Sequence, residues 1–171
     1  MRQLLILVTI VLYLSSCSTA GVKDIEYVEV EKTMTINKTF DEVWGHVLEW
    51  TALKGLHTAN TDKNDGIIML RGSGTISTDF LAMGSEIDQG LVSCGKPTGN
   101  IGLYQGKFSD LQLNVTIILR EVEIGTRVIV NLTGDVGVAV SNAYGTVSAS
   151  RNTCASRGVF ERKFFEDLRA S

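Results

Sequence analysis

The feature that most constrains the fold is a pair of alternating segments in the second half of the chain. "LQLNVTIILREVE" (residues 111–123) places apolar side chains at every second position, and "RVIVNLT" (127–133) repeats the pattern after the short turn "IGT". A period of two with one apolar face is typical of strands with one face buried and one in water. The segments therefore predict an antiparallel hairpin that needs a cover on its apolar face. The inward residues would be Leu111, Leu113, Val115, Ile117, Leu119, Val128, Val130 and Leu132.

Further strands are predicted in the first half of the chain. "YVEVEKTMTI" (27–36) alternates in the same way and predicts a half-buried strand. "LHTANTD" (56–62) and "GIIMLRG" (66–72) flank "KNDG", in which Asp65-Gly66 suits a tight turn, so a second hairpin is expected there.

The glycine-containing stretches are predicted to be less regular. Short strands are expected around "TISTDFLAM" (75–83) and "QGLVSC" (89–94), whereas "GKPTGNIG" (95–102) is expected to be loop. "GDVGVAVSNAYGTVSASRN" (134–152) is small, polar and punctuated by glycine, which predicts a long mobile loop with at most one short strand.

Two amphipathic helices complete the predicted architecture. "TFDEVWGHVLEWTALKG" (39–55) has an apolar stripe at helical spacing, and Thr39 with Glu42 makes a capping box. "SRGVFERKFFEDLRAS" (156–171) repeats the stripe, with Ser156 available as a cap. The order strand, helix, several strands, helix predicts an α+β fold, with an antiparallel sheet and two amphipathic helices on one face.

The N-terminal segment predicts localisation to the cell envelope. Residues 4–14, "LLILVTIVLYL", are uncharged and would form a helix of roughly 16 Å, about half the hydrocarbon thickness of a bilayer. A short apolar run after a basic residue is typical of a secretory signal. "LSSC" (14–17) resembles the lipobox of bacterial lipoproteins. The resemblance implies a signal peptide over residues 1–16, cleavage before Cys17 and acylation of Cys17.

The same resemblance sets the expected domains and localisation. It implies a lipidated tether over residues 17–24, followed by a single domain over 25–171. Ser18 in the second mature position implies the outer membrane, facing the periplasm, because an Asp there favours inner-membrane retention in lipoprotein sorting. Two or three acyl chains suffice for stable anchoring.

With Cys17 used for the lipid, two of the three cysteines remain. An oxidising envelope would pair Cys94 with Cys154 and close a loop of about 60 residues, which stabilises a fold by roughly 4 kcal/mol in the chain-entropy treatment. The alternatives are two buried free thiols or one reactive thiol. No CxxC spacing or neighbouring histidine points to metal or redox chemistry.

A second resemblance concerns the fold. "INKTFDEVWGHVLEWTALKGLHTANTDKNDGIIML" (36–70) resembles a module of bacterial envelope lipoproteins, such as the domains of the C lipoprotein of the outer-membrane β-barrel assembly machinery. The segments around Cys94 and Cys154 also resemble those of small uncharacterised lipoproteins of this kind. The resemblance implies a helix-grip-like arrangement of sheet and helices, and it supplies no catalytic residue.

The residue pattern gives no support for catalysis. His46 and His57 are eleven positions apart, which fits no short zinc motif, and no GxSxG elbow occurs. "RGSGT" (71–75) lacks the lysine and helix of a phosphate loop, and Glu121 with Glu123 forms a solvated charge pattern beside arginines. We therefore expect no enzyme activity, no cofactor and no metal.

The expected function is that of a membrane-anchored, non-catalytic binding or assembly-accessory module with an envelope protein as partner. Removal of residues 1–16 changes the formal charge from −3 to −4, because only Arg2 is charged there, and an acidic domain without a basic block argues against nucleic acid. The alternative function is a carrier of a lipid or other apolar small molecule in a cavity between sheet and helix.

Overall fold

The computed structural model of the protein describes residues 19–73, 90–101 and 104–170. More than half of the described residues lie in strands and about a fifth in helices. The predicted α+β, helix-grip-like class is therefore wrong, since the protein is predominantly antiparallel β-sheet with two helices. The difference arises mainly because residues 134–156, most of which were predicted to be loop, lie almost entirely in two long strands.

The elements follow one another in a simple order. They are β1 (Gly21–Lys23), β2 (Thr33–Ile36), α1 (Phe40–Leu53), β3 (Thr58–Asp62), β4 (Ile67–Ser73), β5 (Val92–Ser93), β6 (Lys96–Thr98), β7 (Asn100–Ile101), β8 (Tyr104–Gln105), β9 (Lys107–Val122), β10 (Gly125–Asn142), β11 (Gly145–Ser156) and α2 (Val159–Ala170).

The main sheet has seven strands in the order β3-β4-β9-β10-β11-β5, and β2 also pairs with β10. All of these pairs are antiparallel. One edge of β10 is shared by two strands: β2 occupies it from Thr126 to Ile129, and β11 occupies it from Gly134 to Asn142. Two small sheets, β1-β6 and β7-β8, lie outside this path.

Both helices pack on one face of the sheet. Alternate residues of β4, β9 and β10 are buried beneath them, and the intervening residues form the outer face. The ring of Trp50 in α1 meets that of Phe164 in α2 edge-on, with centroids 4.9 Å apart and an interplanar angle of 85°. The largest fully buried side chains include Val43, Val47, Ile68, Ile117, Leu119, Leu132, Phe160 and Phe164.

A polar contact joins the helices at the rim of this core. Trp50 Nε1 donates to Asp167 Oδ2 at 3.0 Å, and Lys54 Nζ lies 3.1 Å from the same oxygen. The hydrogen bond from Trp50, followed by the contact with Lys54, lowers the pKa of Asp167 below its ordinary value. The carboxylate therefore binds the end of α1 to the end of α2.

The predicted start of α1 and the predicted hairpin of residues 56–72 are confirmed. Thr39 is the N-cap, and it forms a complete capping box with Glu42. Hydrogen bonds from the Thr39 hydroxyl and backbone N–H lower the pKa of Glu42. Gly66 has φ +58° and closes the turn between β3 and β4, where a side chain would collide with the Leu119 carbonyl.

The loop predictions in the second half were mostly wrong. Residues 134–152 form the second half of β10, a tight turn and most of β11. Val136, Val138 and Val140 continue the buried face of β10, so the period of two persists between the small residues. The segment 95–102 contains β6 and β7 instead of being entirely loop. The strand predicted at 75–83 lies outside the described residues.

The predicted strand at 27–36 is reduced to its last four residues, β2. The preceding residues, 25–32, are not in a strand, and only the Lys32 carbonyl among them accepts an N–H of β10, that of Val130.

Part of the predicted tether, residues 17–24, is folded. Gly21–Lys23 form β1 and pair with β6, and the Ala20 side chain is buried. In the part of the chain that the structure describes, no helix is both long and apolar enough to cross a membrane.

Candidate functional site

Cys94 and Cys154 form a disulfide, as the sequence predicted. Their Sγ atoms are 1.98 Å apart and both residues are buried. Cys94 follows β5, and Cys154 lies in β11 opposite Gly134 of β10. A Cβ atom on Gly134 would lie only 3.2 Å from the Cys154 Cβ, so this glycine makes room for the disulfide against the sheet. The sequence analysis did not identify the role of Gly134.

A short gap in strand pairing lies beside this disulfide. Between the β2 and β11 sections of its shared edge, β10 donates the Val130 N–H to the Lys32 carbonyl at 2.9 Å. Farther along, the Leu132 N–H donates at 3.3 Å to Oε1 of Glu161, a fully buried residue of α2. A side chain thus replaces a strand at Leu132, which follows the rule that buried backbone donors are paired.

The second oxygen of Glu161 is also used. Ser156 Oγ donates to Glu161 Oε2 at 2.8 Å and accepts the Gly158 N–H at 3.0 Å. Ser156 therefore connects the end of β11, the start of α2 and the gap in β10. Nothing in the local pattern around Glu161 signals this role, because a glutamate at that position of an amphipathic helix is usually on the surface.

Residues 25–32, here called the Tyr27 ridge, run past the gap. The Glu26 N–H donates to Ser93 Oγ at 3.0 Å, and the Glu26 carboxylate lies 3.4 Å from Arg157 Nη2. Val30 contacts the position where a Cβ of Gly158 would stand. These contacts hold a segment without regular secondary structure against β5 and the start of α2.

The ridge exposes two adjacent side chains of large apolar area. Tyr27 is 80% exposed and Val28 is 47% exposed. A groove of about 290 Å³ lies between the ridge and β10, with Leu132 and Cys154 among its lining residues. At its edge, Lys32 Nζ donates to Asn131 Oδ1 at 2.6 Å. The groove thus combines an apolar wall with a polar rim.

A second groove, of about 210 Å³, lies on the other side of the ridge against α2. Its charged lining contains both signs in equal number, with the carboxylates of Glu29, Glu31 and Glu166 and the guanidinium groups of Arg157, Arg162 and Arg169. The Tyr27 ridge is therefore flanked on one side by an apolar groove and on the other by a charged one.

The remaining predicted residues are not brought to this site. Cys17 lies outside the described residues. His46 lies on α1, and His57 is exposed just before β3, where its carbonyl accepts the Arg71 N–H. Within residues 19–73, 90–101 and 104–170, no group of three His, Cys, Asp or Glu side chains is placed to hold a metal ion.

Two other sequence features are also separate from the ridge. Glu121 lies near the end of β9 and Glu123 lies in the exposed turn that follows, beside the start of α1. Of "RGSGT", Arg71 to Ser73 belong to β4 and the last two residues lie outside the described range.

Comparisons with protein-family models, curated proteins and solved structures found no match to this chain. The resemblances noted in the sequence therefore remain predictions.

Proposed function

We propose that the protein is a lipid-anchored bacterial envelope lipoprotein that binds another protein through the Tyr27 ridge. The observation that carries the binding role is the exposure of Tyr27 and Val28 on a segment whose backbone is held in place. The anchoring role rests on "LSSC" directly after the apolar run. No chemical reaction is part of the proposal.

Tyr27 has the properties of an interface anchor. Aromatic side chains supply a large contact area at a small cost in side-chain entropy, and they are enriched among residues that dominate binding energy. The adjacent groove offers a partner side chain an apolar floor, and the lysine and asparagine at its edge offer polar contacts. An exposed polypeptide segment carrying an apolar side chain would fit this combination.

The ridge is prevented from joining the sheet, which keeps its side chains available. A strand that continued β2 back from Lys32 would next need the Leu132 N–H of β10, and Glu161 already accepts that N–H. Because the backbone partners are already in place, a bound protein would not need to displace the ridge.

Photo-crosslinking in intact cell envelopes tests the binding role. A photoreactive phenylalanine analogue at Tyr27 should give a discrete protein adduct, and the same analogue at Leu53, which is 79% exposed on α1, should not. A Val28→Asp change should reduce the Tyr27 adduct because it places a charge in the contact. Equal adducts at both positions, or none at Tyr27, would contradict the assignment of the ridge.

Acyl labelling tests the anchor separately. The wild-type protein should incorporate fatty acid and float with membrane vesicles, and Cys17→Ala should do neither. Continued labelling of Cys17→Ala would refute the lipobox assignment without bearing on the ridge.

The carrier function is not favoured by the described structure. It requires space between the sheet and the helices, and that region is filled by side chains such as Ile117, Phe160 and Phe164, which are fully buried.

A further inference from the structure

We propose that the turn between β10 and β11 is a membrane contact, with Tyr144 placed in the headgroup layer beside the acyl chains of Cys17. This inference rests on the anchor in the proposed function. It concerns how the domain sits on the bilayer, and a different part of the structure carries it.

The first observation is the short connection between Cys17 and the folded domain. Ala20 is buried, and its N–H donates to Ser148 Oγ of β11 at 3.3 Å. Three residues of extended chain span at most about 10 Å, so a lipid on Cys17 holds Ala20 within that distance of the bilayer surface. The domain cannot swing freely on such a short connection.

The second observation is the direction of the chain toward Cys17. Glu26 contacts Ser93, which pairs with Ala155 near the end of β11. Gly21 lies near Asn152, and Ala20 contacts Ser148. Followed backwards from Glu26 to Ala20, the chain thus moves along β11 toward its first residue, which adjoins the turn.

The third observation is a match of lengths. Ala20 packs with Val138 and Val140 of β10, and the turn lies three to four residues beyond Val140. At about 3.3 Å per residue, the turn projects roughly 10 Å past Ala20, which equals the reach of the connection to Cys17. The turn and the lipidated residue can therefore reach the same plane.

The fourth observation is the chemistry of this end of the molecule. Residues 136–150 contain no charged side chain, and neither do residues 19–22, 97–101 or 104–106. Tyr144 is 98% exposed at the turn. Tyrosine is enriched at membrane interfaces because its ring is apolar and its hydroxyl is wet. An uncharged tip with one exposed tyrosine is suited to a headgroup layer.

The distribution of charge favours the same orientation. The charged residues of the domain that border these uncharged segments are Lys23, Lys96, Lys107, Arg151 and Asp135, so four of the five are cationic. The opposite end of the sheet, at the turn between β9 and β10, carries Arg120, Glu121, Glu123 and Arg127 and has no excess of either sign. An anionic lipid surface attracts the excess positive charge, so the end that contains Tyr144 would face it.

The cysteine arrangement allows a direct test with the lipidated full-length protein. When Cys17 carries lipid and the other two cysteines are bonded, a Tyr144→Cys change supplies a single free thiol. The protein is labelled there with an environment-sensitive fluorophore and reconstituted in vesicles of phosphatidylethanolamine and phosphatidylglycerol, with a lipid spin-labelled near its headgroup as quencher. Ile124→Cys, at the opposite turn and 72% exposed in the native residue, is the matched control.

The expected result is a blue-shifted emission at position 144 and quenching several-fold stronger than at position 124. Thr146→Cys, close to the same turn, should give the same result as Tyr144→Cys, and it keeps the test valid if one of the two variants misfolds. Protein that floats with the vesicles but shows no quenching at 144 or 146 would overturn the membrane contact and leave the anchor intact. A blue shift that persists in detergent without lipid quenching would overturn it in favour of contact with a second copy.

Two further outcomes also count against the proposal. Equal quenching at positions 124 and 144 would mean that the domain lies flat, contrary to the orientation argued above. Reaction of the Cys17 thiol of the wild-type protein with the fluorophore, together with failure of that protein to float, would show that the lipid anchor is absent. The proposed membrane contact would then be refuted as well.

Discussion

Glu161 should contribute strongly to stability through a purely structural role. It is fully buried, and its two oxygens accept hydrogen bonds from the Leu132 N–H and the Ser156 hydroxyl. Glu161→Leu would introduce an apolar side chain of similar size and leave both donors without their acceptor. A buried donor that loses its partner costs about 1–3 kcal/mol, so the two together predict a loss of about 3 kcal/mol in the free energy of unfolding.

Urea denaturation of the purified protein measures this loss. The only two tryptophans, Trp44 and Trp50, are both buried on α1 and report unfolding by fluorescence. With a urea dependence of about 2 kcal/mol per molar, the predicted loss lowers the unfolding midpoint by roughly 1.5 M. Glu161→Gln keeps one acceptor oxygen and should lose less. Glu166→Leu, at an exposed position on the same helix, is the control and should change the midpoint little.

A double-mutant cycle with Ser156→Ala tests whether the two side chains act as one network. Residues that share hydrogen bonds are expected to show non-additive losses, so the double mutant should be less destabilised than the sum of the single changes. A loss below about 1 kcal/mol for Glu161→Leu would refute the reasoning. It would mean that water or another group satisfies the Leu132 N–H without cost.

Three other predictions concern stability. The pKa of Asp167 is lowered in the folded state, so its contribution to stability is present above its unfolded pKa and is lost as pH falls through the folded pKa. The difference in urea midpoint between the wild type and Asp167→Asn should therefore be clear at neutral pH and shrink in acid. A difference that stays constant with pH would contradict this. Replacing Cys94 and Cys154 by alanine should cost about 4 kcal/mol, given their separation of 60 residues, as measured by unfolding with and without reductant. Gly134→Ala should destabilise the fold by about 1–2 kcal/mol, because the added methyl group crowds the disulfide. Gly45→Ala, which has open space around it on α1, should stabilise the fold by about 0.5–1 kcal/mol. Changes of melting temperature in the same direction for both variants would be inconsistent with this packing.

The elements that were predictable from sequence have strong local signals. The capping box at Thr39 fixes the start of α1, and the turn at Gly66 needs a positive φ that its sequence supplies. The pairing of Cys94 with Cys154 followed from a count of cysteines. Each of these predictions depends on residues close in sequence or on simple pairing chemistry.

The elements that were missed depend on contacts far apart in sequence. Residues 134–152 look like loop because of their small side chains, but pairing with β9 and between its own two halves makes them strand. Conversely, residues 27–32 alternate like a strand, yet the Leu132 N–H that they would need is already bonded to Glu161. Propensity gave the wrong answer in both places because tertiary pairing determines which edge is free.

The candidate site was unpredictable for the same reason. The sequence predicted a half-buried strand at 27–36, whereas the N–H of Leu132 that would extend its pairing is bonded to Glu161, more than 130 residues from Tyr27 in sequence. Only the shape of the sheet edge brings these two segments together.

The length of β10 has a consequence for where a bound partner would stand. This strand runs from Gly125 to Asn142, with shifts of pairing register after Val136 and Val140, and Leu132 beneath the groove is ten residues from its end. At about 3.3 Å per residue, the groove lies roughly 30 Å from the turn. If the turn rests on the bilayer, β10 acts as a fixed spacer, and the Tyr27 ridge can engage only a protein segment presented at that height above the membrane.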